Sequence, residues 1–178
     1  EGATVPPGEH YPGFYEPYAA RVRRLDTCFG GFLDTLRREQ LYDDSVIILT
    51  ADHGESMGEE GRWGHAYTLF PEVLKIPMIV HLPAWMRGVA ADPQSPAFTV
   101  DLTPTLYYLL GQRPVVVNPL FGRPLFTQRP DEVTPYLQSH YVVASSYGPV
   151  YAVISEAGRS LYIADGVSNR EYAFDMTT

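Results

Sequence analysis

The chain has 178 residues, 45% of them hydrophobic, and a formal net charge of -8 at pH 7. This length suits one domain with a sizeable core. Nucleic acid is excluded as a partner, because phosphate backbones are bound by clustered Lys and Arg, and the sequence has no such stripe. No run of residues approaches the roughly 18 apolar positions that a membrane helix needs. The single cysteine, Cys28, excludes an intrachain disulfide and leaves the compartment open.

The first half of the chain predicts alternating helices and strands. Apolar side chains recur at three- and four-residue spacing over 15–40, which indicates a long amphipathic helix. The apolar runs 46–51 and 76–82 have the length and β-branched content of buried strands. A glycine-rich loop, 54–64, and a short helix, 67–74, lie between them. This order predicts two parallel neighbouring strands with a right-handed crossover.

The second half predicts one helix and then strands. Asp101 can cap the helix and Gly111 can end it. The segments 138–145, 149–155 and 159–164 are rich in Val, Ile and Tyr and are separated by turn residues, which indicates antiparallel hairpins.

The predicted fold class is therefore α/β. We expect a mainly parallel central sheet with flanking helices, followed by a small C-terminal antiparallel sheet. The corresponding division of the chain is an α/β part over 1–135 and a β-rich tail over 136–178.

Candidate metal ligands follow the first predicted strand directly. Asp52 and His53 would point to opposite faces of an extended strand, so both can reach one ion only if the backbone turns there. Gly54 permits such a turn, because glycine tolerates a positive φ. A carboxylate with an imidazole suits a divalent ion such as zinc, manganese or magnesium. From these residues alone, an N-capping aspartate followed by a surface histidine is an equal alternative.

Two further histidines are candidates for contact with a substrate. His65 ends the glycine-rich loop and could serve as a ligand, a general acid or a cationic contact to an anionic transition state. Glu55 could orient an imidazole. His10 is a weaker candidate for a substrate contact. No activated nucleophile is evident, because Cys28 lies in an apolar setting that predicts a buried, inert thiol.

Several segments, in this order, resemble the second half of the sulfatase family, which belongs to the alkaline phosphatase superfamily. The matching segments are Arg24-Leu25-Asp26 with Gly30, 44–55, Gly58-Glu59 with His65, 76–80, 100–106 with Gly111, 122–125 and 171–176.

The resemblance implies a metallohydrolase that cleaves sulfate or phosphate esters. It implies Asp52 and His53 as ligands of one divalent ion (Ca, Mg, Mn or Zn), and His65 as the catalytic residue that faces the substrate. Many arylsulfatases have Asn after the aspartate and Lys in the later loop. The Asp-His form with a later His is more similar to phosphoethanolamine and glycerol-phosphate transferases and to some bacterial sulfatase-like hydrolases.

In that family the nucleophile and an acidic pair that completes the metal site lie in the N-terminal half. The chain begins at Glu1 and carries neither, so we expect a C-terminal portion that needs the N-terminal half of the same protein and is inactive alone. An isolated copy could form a homodimer through an exposed edge strand. A headgroup transferase and a non-catalytic domain of the same fold stay open. The parent is expected to be periplasmic, extracytoplasmic or membrane-associated.

Overall fold

The structure is a computed structural model, and the residues it describes are 14–66, 68–86, 88–89, 96–112, 122–127, 140–155 and 158–177. The chain divides into two compact units, Glu1–Trp85 and Met86–Thr178. The predicted boundary between 135 and 136 and the candidate His10 fall outside the described residues. None of the helices within those ranges is long and apolar enough to cross a bilayer.

The first unit begins with the predicted long helix. Helix α1 spans Tyr15–Arg38, in agreement with the periodicity of its apolar residues. No residue of α1 is buried, and Cys28 is exposed rather than buried as predicted, because its position on the helix is not covered by the described residues. The apolar side chains that α1 leaves exposed include Tyr15, Val22, Leu25 and Phe32. One face of α1 is therefore apolar and open.

Strands β1 (Ile47–Thr50) and β4 (Met78–His81) form where strands were predicted, but they pair antiparallel. The prediction that these two strands are parallel is therefore wrong, and the described strands form no parallel central sheet. The helix between them, α2 (Pro71–Leu74), has four residues and rises only about 6 Å, too little to carry the chain back along a strand of about 13 Å. Instead the chain returns beside its point of exit, where the Thr50 hydroxyl donates to the carbonyl of Pro77 at 2.9 Å.

The segment predicted as a glycine-rich loop contains a small hairpin. Strands β2 (Ser56–Met57) and β3 (Trp63–Gly64) pair antiparallel across a 3₁₀ turn at Glu59–Gly61. Gly58 adopts a φ of +116°, a conformation that side-chain-bearing residues rarely reach. The Trp63 ring packs edge-on against the ring of Phe14, the residue just before α1, with 5.5 Å between the ring centroids.

The second unit begins with a 3₁₀ turn, Thr99–Asp101, and helix α3 (Leu102–Leu109). Asp101 precedes α3 but does not cap it with its side chain, contrary to the prediction. Its buried carboxylate turns back and accepts hydrogen bonds from the backbone N–H of Phe98 at 2.8 Å and of Arg123 at 2.9 Å. The carboxylate thus joins this turn to a later segment of the same unit.

The tail forms a four-stranded antiparallel sheet in which each strand pairs with the next one along the chain. Strands β5 (His140–Ala144), β6 (Val150–Ser155) and β7 (Ser160–Asp165) confirm three of the predicted strands. A fourth, β8 (Arg170–Asp175), was not predicted as a strand. The buried apolar residues of the sheet lie mainly on its two central strands; they include Val150, Ala152, Ile154, Leu161 and Ile163.

Gly54 connects the end of β1 to α2 in the first unit. Its backbone N–H donates to the carbonyl of Val73 at 2.8 Å. A Cβ at this position would overlap the carbonyl oxygen of Glu72 and would lie 3.3 Å from that of Lys75. Gly54 is not among the glycines with positive φ, so glycine is required here for close backbone packing rather than for the turn that the sequence predicted.

We expect Gly54→Ala to destabilise the first unit by about 1–3 kcal/mol, because the added methyl group must displace backbone rather than a flexible side chain. Gly31→Ala is the matched control: nothing lies within 4 Å of a Cβ there, so alanine in the helix should be neutral or stabilising. Chemical denaturation of both variants, followed by the amide signals of β1 and β4, provides the measurement. Equal stability of the two variants would contradict the packing argument.

Candidate functional site

The candidate metal ligands lie at the point where β1 ends. The Asp52 side chain is 89% exposed, and its Oδ1 accepts a hydrogen bond from the backbone N–H of His53 at 3.1 Å. Its Oδ2 lies 3.6 Å from Nε2 of the same histidine. The turn after β1 therefore brings both side chains to one side, although they would point to opposite faces of an extended strand.

A single hydrogen bond defines the tautomer of His53. Its Nδ1 lies 2.9 Å from the backbone carbonyl oxygen of Gly54. A carbonyl oxygen only accepts hydrogen bonds, so Nδ1 must carry the hydrogen in this contact. In the neutral form of His53, the lone pair of Nε2 therefore lies on the side of the ring that faces Asp52. An imidazole in this state, held by a bond at its other nitrogen, is prepared to bind a metal ion.

The two donor atoms fit one divalent ion. Two ligands at about 2.1 Å from a tetrahedral ion lie roughly 3.4 Å apart, and Asp52 Oδ2 and His53 Nε2 are separated by 3.6 Å. Within the described ranges, no group of three or more His, Cys, Asp or Glu side chains is arranged to hold a metal ion. Within the described residues, Asp52 and His53 therefore offer two donor atoms whose separation fits one shared ion.

His65 is held by a carboxylate at the base of the hairpin. Its Nδ1 lies 2.9 Å from Oε2 of Glu55, whose side chain is only 17% exposed. Because a carboxylate accepts the hydrogen bond, Nδ1–H is the donor and Nε2 remains available on the opposite side of the ring. Glu55 therefore orients an imidazole, as the sequence indicated.

The two imidazoles meet face to face. The ring centroids of His53 and His65 are 4.1 Å apart, and the ring planes are inclined by 25°. Three of the predicted site residues, Asp52 with the two histidines, are thus brought together at the end of β1. His81 lies elsewhere, stacked on Tyr42 and hydrogen-bonded through Nε2 to the carbonyl of that residue at 3.1 Å.

A partly buried ion pair between the hairpin and α2 was not predicted from the sequence. Arg62 donates from Nε to Oε1 of Glu72 at 2.7 Å and from Nη1 to Glu60 at 2.6 Å. Ser56 donates to the same Oε1 at 3.0 Å. Burial opposes the charged form of Arg62, but its bonds to these carboxylates hold the pKa of the guanidinium above its ordinary value. No sequence signal identified this pair, because it depends on a hairpin register that the sequence did not predict.

Comparison with known proteins gives the family of this chain. The sulfatase family model matches residues 3–112. A choline-sulfatase of Rhizobium meliloti is 29% identical over 161 residues, which cover 89% of this chain and 30% of that protein. A low-salt glycan biosynthesis sulfotransferase of Haloferax volcanii is 35% identical over 126 residues, which cover 66% of this chain and 29% of that protein. The chain thus spans about 30% of the length of these relatives.

Solved structures share the α/β fold. A protein in complex with its substrate D-glucosamine-2-N,6-O-disulfate superposes with a TM-score of 0.62 at 20% identity, over 87% of this chain and 32% of that chain. A 2-O GAG sulfatase superposes with a TM-score of 0.59 at 20% identity, over 81% of this chain and 32% of that chain. The family model matches more than half of the sequence, and the chain belongs to the sulfatase family of the alkaline phosphatase superfamily.

Proposed function

We propose that this chain is the C-terminal part of a sulfatase-like hydrolase that cleaves sulfate or phosphate esters. The observation that carries the proposal is the convergence of Asp52, His53 and His65 at the end of β1, with the imidazoles 4.1 Å apart. Membership of the sulfatase family supports the reaction class, and the site residues support a role in it.

In this proposal Asp52 and His53 are two ligands of one divalent ion. The 3.6 Å separation of their donor atoms supports chelation of a single ion, and the tautomer of His53 leaves Nε2 free to bind it. When bound, such an ion polarises the ester and stabilises negative charge at the reacting group. The remaining ligands would come from the N-terminal half of the same protein.

His65 is proposed to face the substrate. In ester hydrolysis the bond between sulfur or phosphorus and the departing alkoxide breaks, a bond to the oxygen of water forms, and the alkoxide takes up a proton. Protonated His65 can give that proton from Nε2, or contact the anionic ester oxygens, because Glu55 already holds its Nδ1–H. His10, outside the described residues, stays a predicted substrate contact.

Group transfer is a second candidate. The identity of 35% to a protein named as a glycan biosynthesis sulfotransferase favours it. The same residues would serve, but the oxygen of an acceptor alcohol would take the place of water. The two reactions are distinguished by their product, since only transfer yields a new ester of the added alcohol.

The partner of this chain is proposed to be the rest of the same sulfatase domain. Helix α1 has no buried residue, and its apolar face exposes 60% of Leu25 and 48% of Val22. Such a surface is normally covered in a folded domain. Since the chain spans 30% of the choline-sulfatase it matches, the remaining part of such a domain is large enough to supply the cover.

We expect the isolated chain to have no turnover of aryl sulfate or aryl phosphate esters. Co-expression with the N-terminal half of its protein should restore turnover, and Asp52→Ala should lower it by about 100-fold or more, because a metal ligand is lost. Asp43→Ala, in an exposed acidic residue of a surface turn, is the matched control and should leave turnover unchanged. Turnover by the isolated chain that Asp52→Ala abolishes would overturn the proposed incompleteness.

The cover of α1 can be tested separately with the double variant Val22→Gln, Leu25→Gln. In the isolated chain these side chains are exposed, so the free energy of unfolding should change by less than about 0.5 kcal/mol. In the co-expressed protein the free energy of unfolding should fall by about 2 kcal/mol or more, because two side chains that are apolar and covered there become polar. Arg23→Gln on the polar face is the control. Equal effects in both forms would contradict the proposed interface.

A further inference from the structure

We infer that Glu72 is a positioning residue that holds the two halves of the site together through α2. One half is the strand arm, residues 51–54, which carries Asp52 and His53. The other is the hairpin arm, residues 55–65, which carries His65. This inference rests on the proposed function, because it assigns Glu72 a role in the geometry of that same site.

The backbone of α2 holds the strand arm. The Gly54 N–H donates to the carbonyl of Val73 at 2.8 Å, and the Gly54 backbone packs directly against the carbonyl of Glu72. His53 is the residue before this contact and is itself bonded to the Gly54 carbonyl. The position of the His53 ring therefore depends on where α2 lies.

The side chain of Glu72 holds the hairpin arm. Its Oε1 accepts hydrogen bonds from Ser56 Oγ at 3.0 Å and from Arg62 Nε at 2.7 Å. Ser56 lies in β2, and Arg62 immediately precedes β3. One carboxylate therefore joins both sides of the hairpin to α2, and the arm carries Glu55 at its start and His65 at its end.

The ion pair between Glu72 and Arg62 is largely shielded from solvent. The side chains of Glu72 and Arg62 are only 14% and 15% exposed, whereas Glu60, the other partner of Arg62, is 75% exposed. The guanidinium also lies over the Phe70 ring, 4.3 Å from its centroid, just before α2. A charge-assisted bond in this setting is stronger than one in water, so Glu72 contributes more than Glu60 to the position of the hairpin.

Glu72 acts on the site through other residues. Its carboxylate accepts hydrogen bonds from Ser56 and Arg62, and among the described residues it makes none with Asp52, His53 or His65. Loss of the carboxylate should therefore leave the site residues chemically intact but displace the hairpin arm from the strand arm. The expected consequence is separation of the two stacked imidazoles.

The test uses the isolated, isotope-labelled chain without metal or substrate. In the unmodified chain we expect nuclear Overhauser contacts between the His53 and His65 ring protons and slow exchange of the Gly54 amide. Glu72→Met should abolish the ring contacts and speed Gly54 exchange by at least about tenfold. Glu72→Gln, which keeps one acceptor oxygen, should retain them in part. Glu60→Gln is the matched control and should change neither readout.

Unchanged ring contacts and Gly54 exchange in Glu72→Met would overturn the inference. The amides of Ala152 and Ile163, two buried residues of the tail sheet in the second unit, report whether the rest of the chain is folded. If Glu72→Met unfolds the first unit, the same two readouts are measured in Glu72→Gln and Arg62→Met. Unchanged ring contacts and unchanged Gly54 exchange in both of these variants would also overturn the inference. The inference fails when the variants keep the ring contacts of the unmodified chain, an outcome that leaves the convergence behind the proposed function intact. No turnover or metal binding is measured, so failure of the proposed function leaves these contacts unaffected.

Discussion

The contact between Gly54 and the backbone of α2 is the constraint on which the candidate site depends. A hydrogen bond of 2.8 Å from Gly54 to Val73 anchors the chain immediately after the residues that leave β1. No other residue type fits, since a Cβ would overlap the carbonyl of Glu72. With its backbone held here, the chain turns sharply enough for Asp52 and His53 to face each other. The relative positions of Asp52 and His53 thus depend on the close packing of the Gly54 backbone against the backbone of α2.

The two imidazoles differ in their hydrogen-bond partners. His53 donates from Nδ1 to a backbone carbonyl, which leaves Nε2 directed to Asp52, while His65 donates from Nδ1 to the carboxylate of Glu55. In the proposed function the first ring binds the metal and the second faces the ester. In the same proposal, further ligands and a nucleophile come from another part of the protein, and the matched segments cover about 30% of the two relatives.

Local sequence patterns predicted α1, β1 and β4, whereas the direction in which β1 and β4 pair was predicted wrongly. The spacing of apolar residues predicted α1, and the apolar runs predicted β1 and β4, because each signal lies within one segment. The relative direction of β1 and β4 depends on the path of the connection, and the sequence did not reveal that its helix has only four residues. Tyr172 and Phe174 are two residues apart, and Glu171 and Asp175 flank them, a pattern that would have indicated β8.

The same distinction applies to the site. Asp52, His53 and His65 were candidates from residue type and were selected by the resemblance to the sulfatase family, whereas the bond between Arg62 and Glu72 joins a hairpin to a helix and has no signature in the sequence. Gly54 was selected for the wrong reason, since its role is close packing rather than positive φ. Residue chemistry was thus readable from the sequence, and the contacts that support it required the fold.

The most direct test of the central claim is a crystal structure of this chain assembled with the N-terminal half of its protein, with diffraction recorded at the absorption edge of a bound divalent metal. The account predicts an anomalous peak bonded to the Asp52 carboxylate and to Nε2 of His53, with the His65 ring beside it and its Nδ1 still on Glu55. A peak elsewhere in the assembly, with Asp52 and His53 directed into solvent, would contradict it.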